Sequence, residues 1–214
     1  MPDSTLPDSA AKRVWQRAPE EARRADLIRA TIDCVADGGV AVATVREVAA
    51  RAGVSNGLIR YHFATKEALV LAAYKALVDE MTRAAEEAAS EAPPSLRLAR
   101  FIAANCRPPV LDARSLSAWA GFVGHVRNDP EMAAIHRAGY LRFCALLETA
   151  IAGLALGGDT ARQARQIAAI IDGLWLEGCL APELFANGEL ARLALDGAGR
   201  ILNTPLTDPE ETRP

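Results

Sequence analysis

Residues 44–69 read TVREVAARAGVSNGLIRYHFATKEAL, and this short stretch carries more local punctuation than any other part of the chain. Thr44-Val45-Arg46-Glu47 has the form of a capping box, in which a threonine hydroxyl and a glutamate carboxylate each take one orphan amide of a helix start. Val45, Val48, Ala49 and Ala52 then fall on one face of a two-turn helix. Gly53 can adopt the left-handed conformation that a sharp corner requires, and Val54 can plug that corner. Ser55 stands where a second short helix needs a cap, with Leu58 and Ile59 turned inward. Asn56, Gly57, Arg60, Tyr61 and His62 are left facing out.

Two short helices about a tight glycine corner, the second with a polar and basic outer face, have the geometry of a helix-turn-helix. A helix of that size fits the major groove, and Gly57 removes a side chain where it must approach the sugar-phosphate chain. Asn56, Arg60 and Tyr61 are residue types that reach base edges or phosphates, and Thr44 at a helix start can add a phosphate contact. The candidate DNA contacts are thus Thr44, Arg46, Ser55, Asn56, Gly57, Arg60, Tyr61, His62 and Lys66. The physical pattern also admits a plain helical hairpin with solvated polar residues, since short capped helices are common.

Charge supports the first reading weakly. The chain of 214 residues has a net charge of −3, yet residues 1–66 carry +2 and the remainder −5. Half of the residues are hydrophobic, only 5% are aromatic, and 24% are charged. With alanine, leucine and arginine dominant and β-branched runs short, that composition predicts an all-α protein with a sizeable core. The four cysteines, Cys34, Cys106, Cys144 and Cys179, form no C-x-x-C pair and no metal-ligand spacing. They read as buried small hydrophobes in a reducing compartment, and no cofactor or metal is expected. The opening MPDSTLPDSA is polar, and no apolar run is long enough to span a bilayer, so a cytoplasmic location is expected.

About nine helices are predicted. The first follows Pro19, carries Leu27, Ile28, Thr31, Ile32 and Val35 as an apolar stripe, and stops at Gly38-Gly39. After the quoted stretch, a long helix is expected from Lys66 to about Ala89, then a short one capped by Ser95 and ending near Asn105. A helix bearing Trp119, Phe122 and Val126 follows. Asp129-Pro130-Glu131 opens another that runs to about Leu156. Thr160-x-x-Gln163 reads as a capping box for a helix to about Leu180, and a last helix spans about 189–202. The expected organisation is a flexible arm (1–18), a DNA-binding unit (19–66), an effector-binding and dimerisation domain (67–203) and a tail (204–214).

With these residues in view, the chain resembles the TetR family of bacterial transcriptional regulators. The resemblance runs from ADLIRATIDCVADGG through TVREVAARAGVS to YHFATKEAL. It implies that Phe63 packs into the domain core and that Lys66 reaches a phosphate at the start of the fourth helix. One departure stands out: Arg60-Tyr61-His62-Phe63 displaces the usual tyrosine, which leaves open how Arg60 and Tyr61 divide the backbone contacts. In the second half, Ile171-Asp172-Gly173-Leu174-Trp175-Leu176-Glu177-Gly178 resembles the signature of BetI-type, choline-responsive repressors.

The resemblance implies a homodimer built on the last two helices, paired with their copies as a four-helix bundle. Candidate interface residues are Ile167, Ile171 and Leu174 on one stripe and Leu190, Ala194, Gly197 and Ile201 on the other; the same stripes can instead pack within one chain. Trp119 and Phe122, Tyr140 and Phe143, and Trp175 near Asp172 are candidate effector residues. Aromatic faces with one carboxylate suit a quaternary ammonium or a polyamine, although each aromatic also fits an ordinary core. His125 and His136 read as solvated or hydrogen-bonded rather than metal-bound. The expectation is a regulator, most simply a repressor, that binds double-stranded DNA as a dimer and is released by a small-molecule effector. The rivals are an all-α enzyme, for which no nucleophile–base pair or carboxylate pair is visible, and a ligand-binding protein that does not read DNA.

Overall fold

In a computed structural model, residues 20–108 and 110–207 are described; the expected arm, Pro19 and most of the expected tail lie outside them. The described residues form helices and loops without a strand. In chain order the helices are α1 (Glu20–Val42), α2 (Val45–Ala52), α3 (Asn56–His62), α4 (Lys66–Ser90), α5 (Pro94–Ala104), α6 (Ala113–Val126), α7 (Pro130–Ala152), α8 (Thr160–Leu180) and α9 (Glu189–Leu202), with a 3-10 turn at Pro182–Phe185.

α1 is the scaffold of the N-terminal unit. Leu27, Ala30, Thr31, Cys34 and Val35 are its buried residues, the spacing of one helical face. The Thr31 hydroxyl is silenced by donating to the Leu27 carbonyl at 2.8 Å, so a polar side chain sits in the core without an orphaned group. The expected stop at Gly38-Gly39 takes the form of a kink: helical bonding continues to Val42, but Gly39 adopts φ 75° and ψ −178°, a conformation open essentially to glycine. The kink lies against α6. A Cβ on Gly121 would stand 2.9 Å from Val35 Cγ1 and 3.4 Å from the Gly39 Cα, so only a glycine lets α6 press this closely on α1.

α4 joins the two halves. Its buried face runs Leu69, Val70, Ala73, Tyr74, Leu77, Met81, Thr82, Ala85 and Ala89. The first part packs on α1, and the rest on α5, α6 and α7. Around it α7, α8 and α9 build the second half, with α8 packed between α7 and α9.

Local signals place most helix starts correctly. Asp129 Oδ1 accepts from Glu131 N and Met132 N at 2.9 and 3.1 Å, with Pro130 in the first turn. Three expectations need correction. The cap of α8 is Asp159, whose Oδ1 accepts from Arg162 N, and Thr160 is already helical: an aspartate one residue earlier is the stronger acceptor for the helix dipole. Ser95 lies inside α5, which starts at Pro94 without a side-chain cap, because proline there needs no amide partner. α7 ends at Ala152 rather than near Leu156.

Candidate nucleic-acid interface and ligand cavity

α2 and α3 are set by their ends. Thr44 Oγ1 accepts from Glu47 N at 3.2 Å, but the reciprocal half of the expected capping box is missing. The Thr44 amide turns to the Val42 carbonyl at 2.6 Å, and Glu47 Oε1 lies 3.9 Å from Arg51. At the other end Gly53 has φ 65° and ψ 34°. Gly53 N bonds the Ala50 carbonyl and Val54 N the Ala49 carbonyl, the paired closure of a Schellman motif. Ser55 holds the cap position of α3 with extended backbone, yet its side chain makes no capping bond. A helix of only two turns, fixed from both flanks, stands without it.

α3 buries Ile59 and half-buries Leu58, and turns Asn56, Gly57, Arg60 and Tyr61 to solvent. Tyr61 is 71% exposed, which is far from the usual place of a large aromatic and marks a surface kept for contact. His62 is half-buried, edge-on to Tyr61 at 5.1 Å between ring centres. Phe63 is buried, as the resemblance implies, and carries the Arg24 guanidinium 4.9 Å above its ring. Thr65 caps α4 by accepting from Ala68 N at 3.0 Å, which puts Lys66 in its first turn next to the free amides. Among the described residues Arg46, Arg60 and Lys66 have no carboxylate within ion-pair reach, so their charge is uncommitted. Thr65 and Arg24 were not singled out from sequence; the T-K-E run after Phe63 was the available signal for the former.

The same unit is braced by an ionic bridge. Asp37 at the end of regular α1 accepts from Arg51 of α2 at 2.5 Å and from Arg114 of α6 at 3.0 Å. Arg114 also reaches Asp33 Oδ1 at 2.6 Å and the Asp33 carbonyl at 3.0 Å. Hydrogen bonds from Arg51 first, and then from Arg114, hold the Asp37 carboxyl below its ordinary range.

In the second half a cavity of about 50 Å³ opens between α4, α6, α7 and α8. α4 contributes Tyr74, Val78, Met81 and Thr82, and α7 contributes His136, Gly139, Tyr140 and Phe143. Trp119 comes from α6, Asp172 and Trp175 from α8, and Asn105 from the end of α5. Trp119 and Trp175 meet edge to face with centroids 5.4 Å apart. Trp175 is locked by its indole N–H, which donates to the Asn105 carbonyl at 2.7 Å. Tyr74 hydroxyl and His136 Nδ1 share a hydrogen bond of 3.0 Å across the cavity from α4 to α7.

Charge in this cavity is unbalanced. Burial lifts the Asp172 carboxyl to about 6, and among the described residues no cation pairs with it. Burial, aided by the Asp172 charge, pushes the Tyr74 hydroxyl up to about 12. Burial alone lowers His136, which disfavours its charged form.

Of the six residues expected at an effector site, the structure brings five together: Trp119, Tyr140, Phe143, Asp172 and Trp175. The sixth, Phe122, is fully buried against Tyr74 with ring centres 5.2 Å apart and belongs to the core. Tyr74 and Asn105 were missed, because each comes from an element whose pattern reads as ordinary helix; His136, read as solvated or hydrogen-bonded, is hydrogen-bonded to Tyr74 at the cavity.

The expected interface stripes also need revision. Ile167 and Ile171 are 0% exposed and Ala194 1%, all within one chain, in which α8 packs on α6, α7 and α9, and α9 on α5 and α8. Leu190 packs beside Gly178, and Leu174, Gly197 and Ile201 are half-buried. The outward apolar residues of this region are instead Leu176, Leu180, Leu184 and Leu193, between 40% and 68% exposed. No helix among the described residues is long and apolar enough to cross a membrane, and no acidic, histidine and cysteine group there is arranged to hold a metal.

Comparison with known proteins gives a consistent picture across both halves. Residues 27–73 match the family model described as bacterial regulatory proteins, tetR family, and residues 94–203 match that of the BetI-type transcriptional repressor, C-terminal. The chain is 30% identical over 185 residues to an HTH-type transcriptional regulator BetI of Burkholderia mallei, covering 85% of this chain and 94% of that one. A relative of the same description from Serratia proteamaculans is 28% identical, covering 81% and 89%. Among solved structures, a transcriptional regulator of Pseudomonas aeruginosa PAO1 superposes with a TM-score of 0.77 at 33% identity, over 87% of this chain and 93% of that one. A regulator from Saccharomonospora viridis, solved in complex with choline, shares the fold with a TM-score of 0.69 at 21% identity, over 86% and 95%.

Proposed function

The chain belongs to the TetR family of bacterial transcriptional regulators, with a C-terminal half of the BetI repressor type, and from that membership we propose a repressor released from its operator by a small organic cation. It is a DNA-binding regulator and not an enzyme. Two units, residues 19–66 for DNA and 67–203 for effector and dimer, divide the work.

The observation that carries the effector class is Asp172. A carboxyl that burial lifts to about 6, with no internal cation beside it, is a charge the fold leaves uncompensated. A bound cation supplies the missing partner, and the faces of Trp119, Trp175 and Tyr140 add cation–π attraction. A neutral or anionic ligand gains neither. The choline held by the Saccharomonospora viridis relative is of this class, which supports the reading without naming the ligand here.

DNA is read by α3. Asn56, Arg60 and Tyr61 face base edges or phosphates, Gly57 admits the close approach, and Thr44, Arg46, Ser55, His62 and Lys66 hold the phosphate chain. A dimer sets two copies of α3 one helical turn of DNA apart. The exposed leucines of α8 and α9, Leu176, Leu180 and Leu193, provide its apolar face, extended by Gly197 and Ile201.

Release follows from how the cavity is built. α4 contributes Tyr74 to Thr82 at the cavity and Lys66 at the reading end, and α6 contributes Trp119 to the cavity and Arg114 to the bridge on α1 and α2. A ligand that moves either helix changes the spacing of the two recognition helices, and a modest preference of the ligand for the released state is enough. The test is DNA retardation with the chain's own upstream region, with and without candidate cations. Absence of any retarded complex at low salt overturns the DNA reading. Release by cations that persists undiminished in Asp172→Asn overturns the effector reading.

A further inference from the structure

The buried face of α1 begins with a residue of the wrong type. Leu27, Thr31 and Cys34 lie on that face, and one turn before them on the same side stands Arg24, since residues three and four apart on a helix stack one above the other. An apolar side chain at this position would simply extend the core. An arginine can lay its stem along the core edge and keep its charged head in water, and Arg24 is exposed. Its guanidinium has a seat: it stands 4.9 Å from the centre of the ring of Phe63, which is itself buried. Phe63 closes α3, its amide donating to the Ile59 carbonyl at 2.8 Å, and Thr65 caps α4 two positions later. Arg24 thus brings a cation from α1 to the corner between α3 and α4, which carries Tyr61 before it and Lys66 after it.

The fold leaves that charge uncommitted. Asp26 pairs with Arg29 and stands 4.0 Å from Arg23. Among the described residues no carboxylate lies within ion-pair reach of Arg24, Glu20 and Glu21 of the same helix end included. A guanidinium seated over a ring keeps its N–H fork free at the edge, and that fork matches the oxygens of a phosphate. Resting on the DNA reading of α3 proposed above, we infer that Arg24 holds a backbone phosphate beside the recognition helix, with Phe63 as the residue that positions it. The contact carries no sequence information; it fixes how α3 sits in the groove. α1 then supplies a DNA contact from outside the helix-turn-helix, and the Phe63 ring both closes the core and seats a DNA-binding cation.

The experiment is fluorescence anisotropy of the full chain on two labelled duplexes, one from its own upstream region and one of random sequence, at several salt concentrations. Arg24→Met keeps a long stem over Phe63 and removes the charge. It should unfold near the wild-type temperature, bind both duplexes about three- to tenfold more weakly, and reduce the slope of log affinity against log salt by about 1. Arg29→Met removes an exposed cation of the same helix that Asp26 already holds, and should leave affinity within about twofold of wild type. Phe63→Leu keeps the site apolar and takes away the ring. Its effect on DNA affinity should largely vanish in the Arg24→Met background, as for two residues that act as a unit. Should Phe63→Leu fail to fold, Arg24→Lys makes the same test, since a charge without the planar fork should still bind at least about twofold more weakly than wild type. Unchanged affinity and slope in Arg24→Met reduce Arg24 to a cover for Phe63 and overturn the inference, as does an equal loss in Arg29→Met. Additive losses, or Arg24→Lys equal to wild type, overturn the positioning role of Phe63. Failure of the wild-type chain to bind either duplex at low salt overturns the DNA reading itself.

Discussion

Arg114 Nη1 of α6 donates to Asp37 Oδ1 of α1 at 3.0 Å, so a helix that lines the cavity is clamped to the helix on which the reading unit is built. Asp37 also holds Arg51 of α2. One carboxylate therefore bridges the cavity side and the helix-turn-helix side. Arg114 and Asp37 are both well exposed, and exposed pairs add little to stability. Arg114→Ala should leave the melting curve nearly unchanged. The factor by which ligand weakens DNA binding, read by retardation or anisotropy with and without ligand, should fall several-fold. An unchanged factor places the transmission entirely in α4.

Ligand affinity should titrate with Asp172. Burial lifts its carboxyl above the ordinary value of 3.8 to about 6, so the proton goes on near pH 6 and the cation loses its partner below that. Affinity should be level above pH 7 and about tenfold weaker at pH 5, with one proton taken up for each cation lost. Asp172→Asn should bind weakly and without this dependence. Calorimetry across pH 5–8 checks both.

Contacts to DNA should separate into two kinds. Arg60→Ala or Tyr61→Ala should cost about 1–3 kcal/mol on the operator if the side chain reads a base, and relax specificity at that position. Lys66→Ala should weaken operator and random DNA alike, and reduce the slope of log affinity against log salt by about 1. Anisotropy titrations at several salt concentrations distinguish the two.

Assembly should depend on the exposed leucines, not on the buried isoleucines of α8. Leu180→Glu, at 68% exposure, should give a folded monomer in sedimentation with much reduced operator affinity. Ile171→Ala, at 0% exposure, should lower the melting temperature by removing core volume, a loss of about 2–5 kcal/mol.

Close packing of α6 on α1 should be intolerant of even one methyl. In Gly121→Ala the added carbon meets Val35 Cγ1 at 2.9 Å and the Val35 carbonyl at 3.2 Å. Overpacking of this kind costs about 1–3 kcal/mol, which thermal unfolding will register. Val35→Ala in the same chain should recover part of it.

Local chemistry made the reading unit legible in the sequence. Thr44 and Gly53, like Asp129 at the start of α7 in the second half, act on neighbours a few residues away, so their roles follow from spacing. The cavity was half legible: Trp119, Tyr140, Phe143, Asp172 and Trp175 share a chemistry, but Phe122 shares it too and turns into the core against Tyr74. Helical periodicity gives the faces of α6 without saying which neighbour each face meets. Asn105 and Tyr74 were invisible for the complementary reason, since their partners lie on other helices, 62 positions away for the Tyr74 bond to His136. Three of the seven interface candidates turned inward in the same way. Ile167, Ile171 and Ala194 form a sound apolar face, and α8 and α9 spend that face on their own chain.

α4 carries Lys66 in its first turn and Tyr74 at the cavity, along one uninterrupted helix. The two sites are therefore indexed to each other by helical phase. A single residue inserted between them rotates one against the other by about 100° and lengthens the shaft by about 1.5 Å, whereas an insertion of about seven returns the angle to within about 20°. Chimaeras that graft a foreign reading unit onto this sensor should accordingly work only when the junction keeps the count of residues along α4.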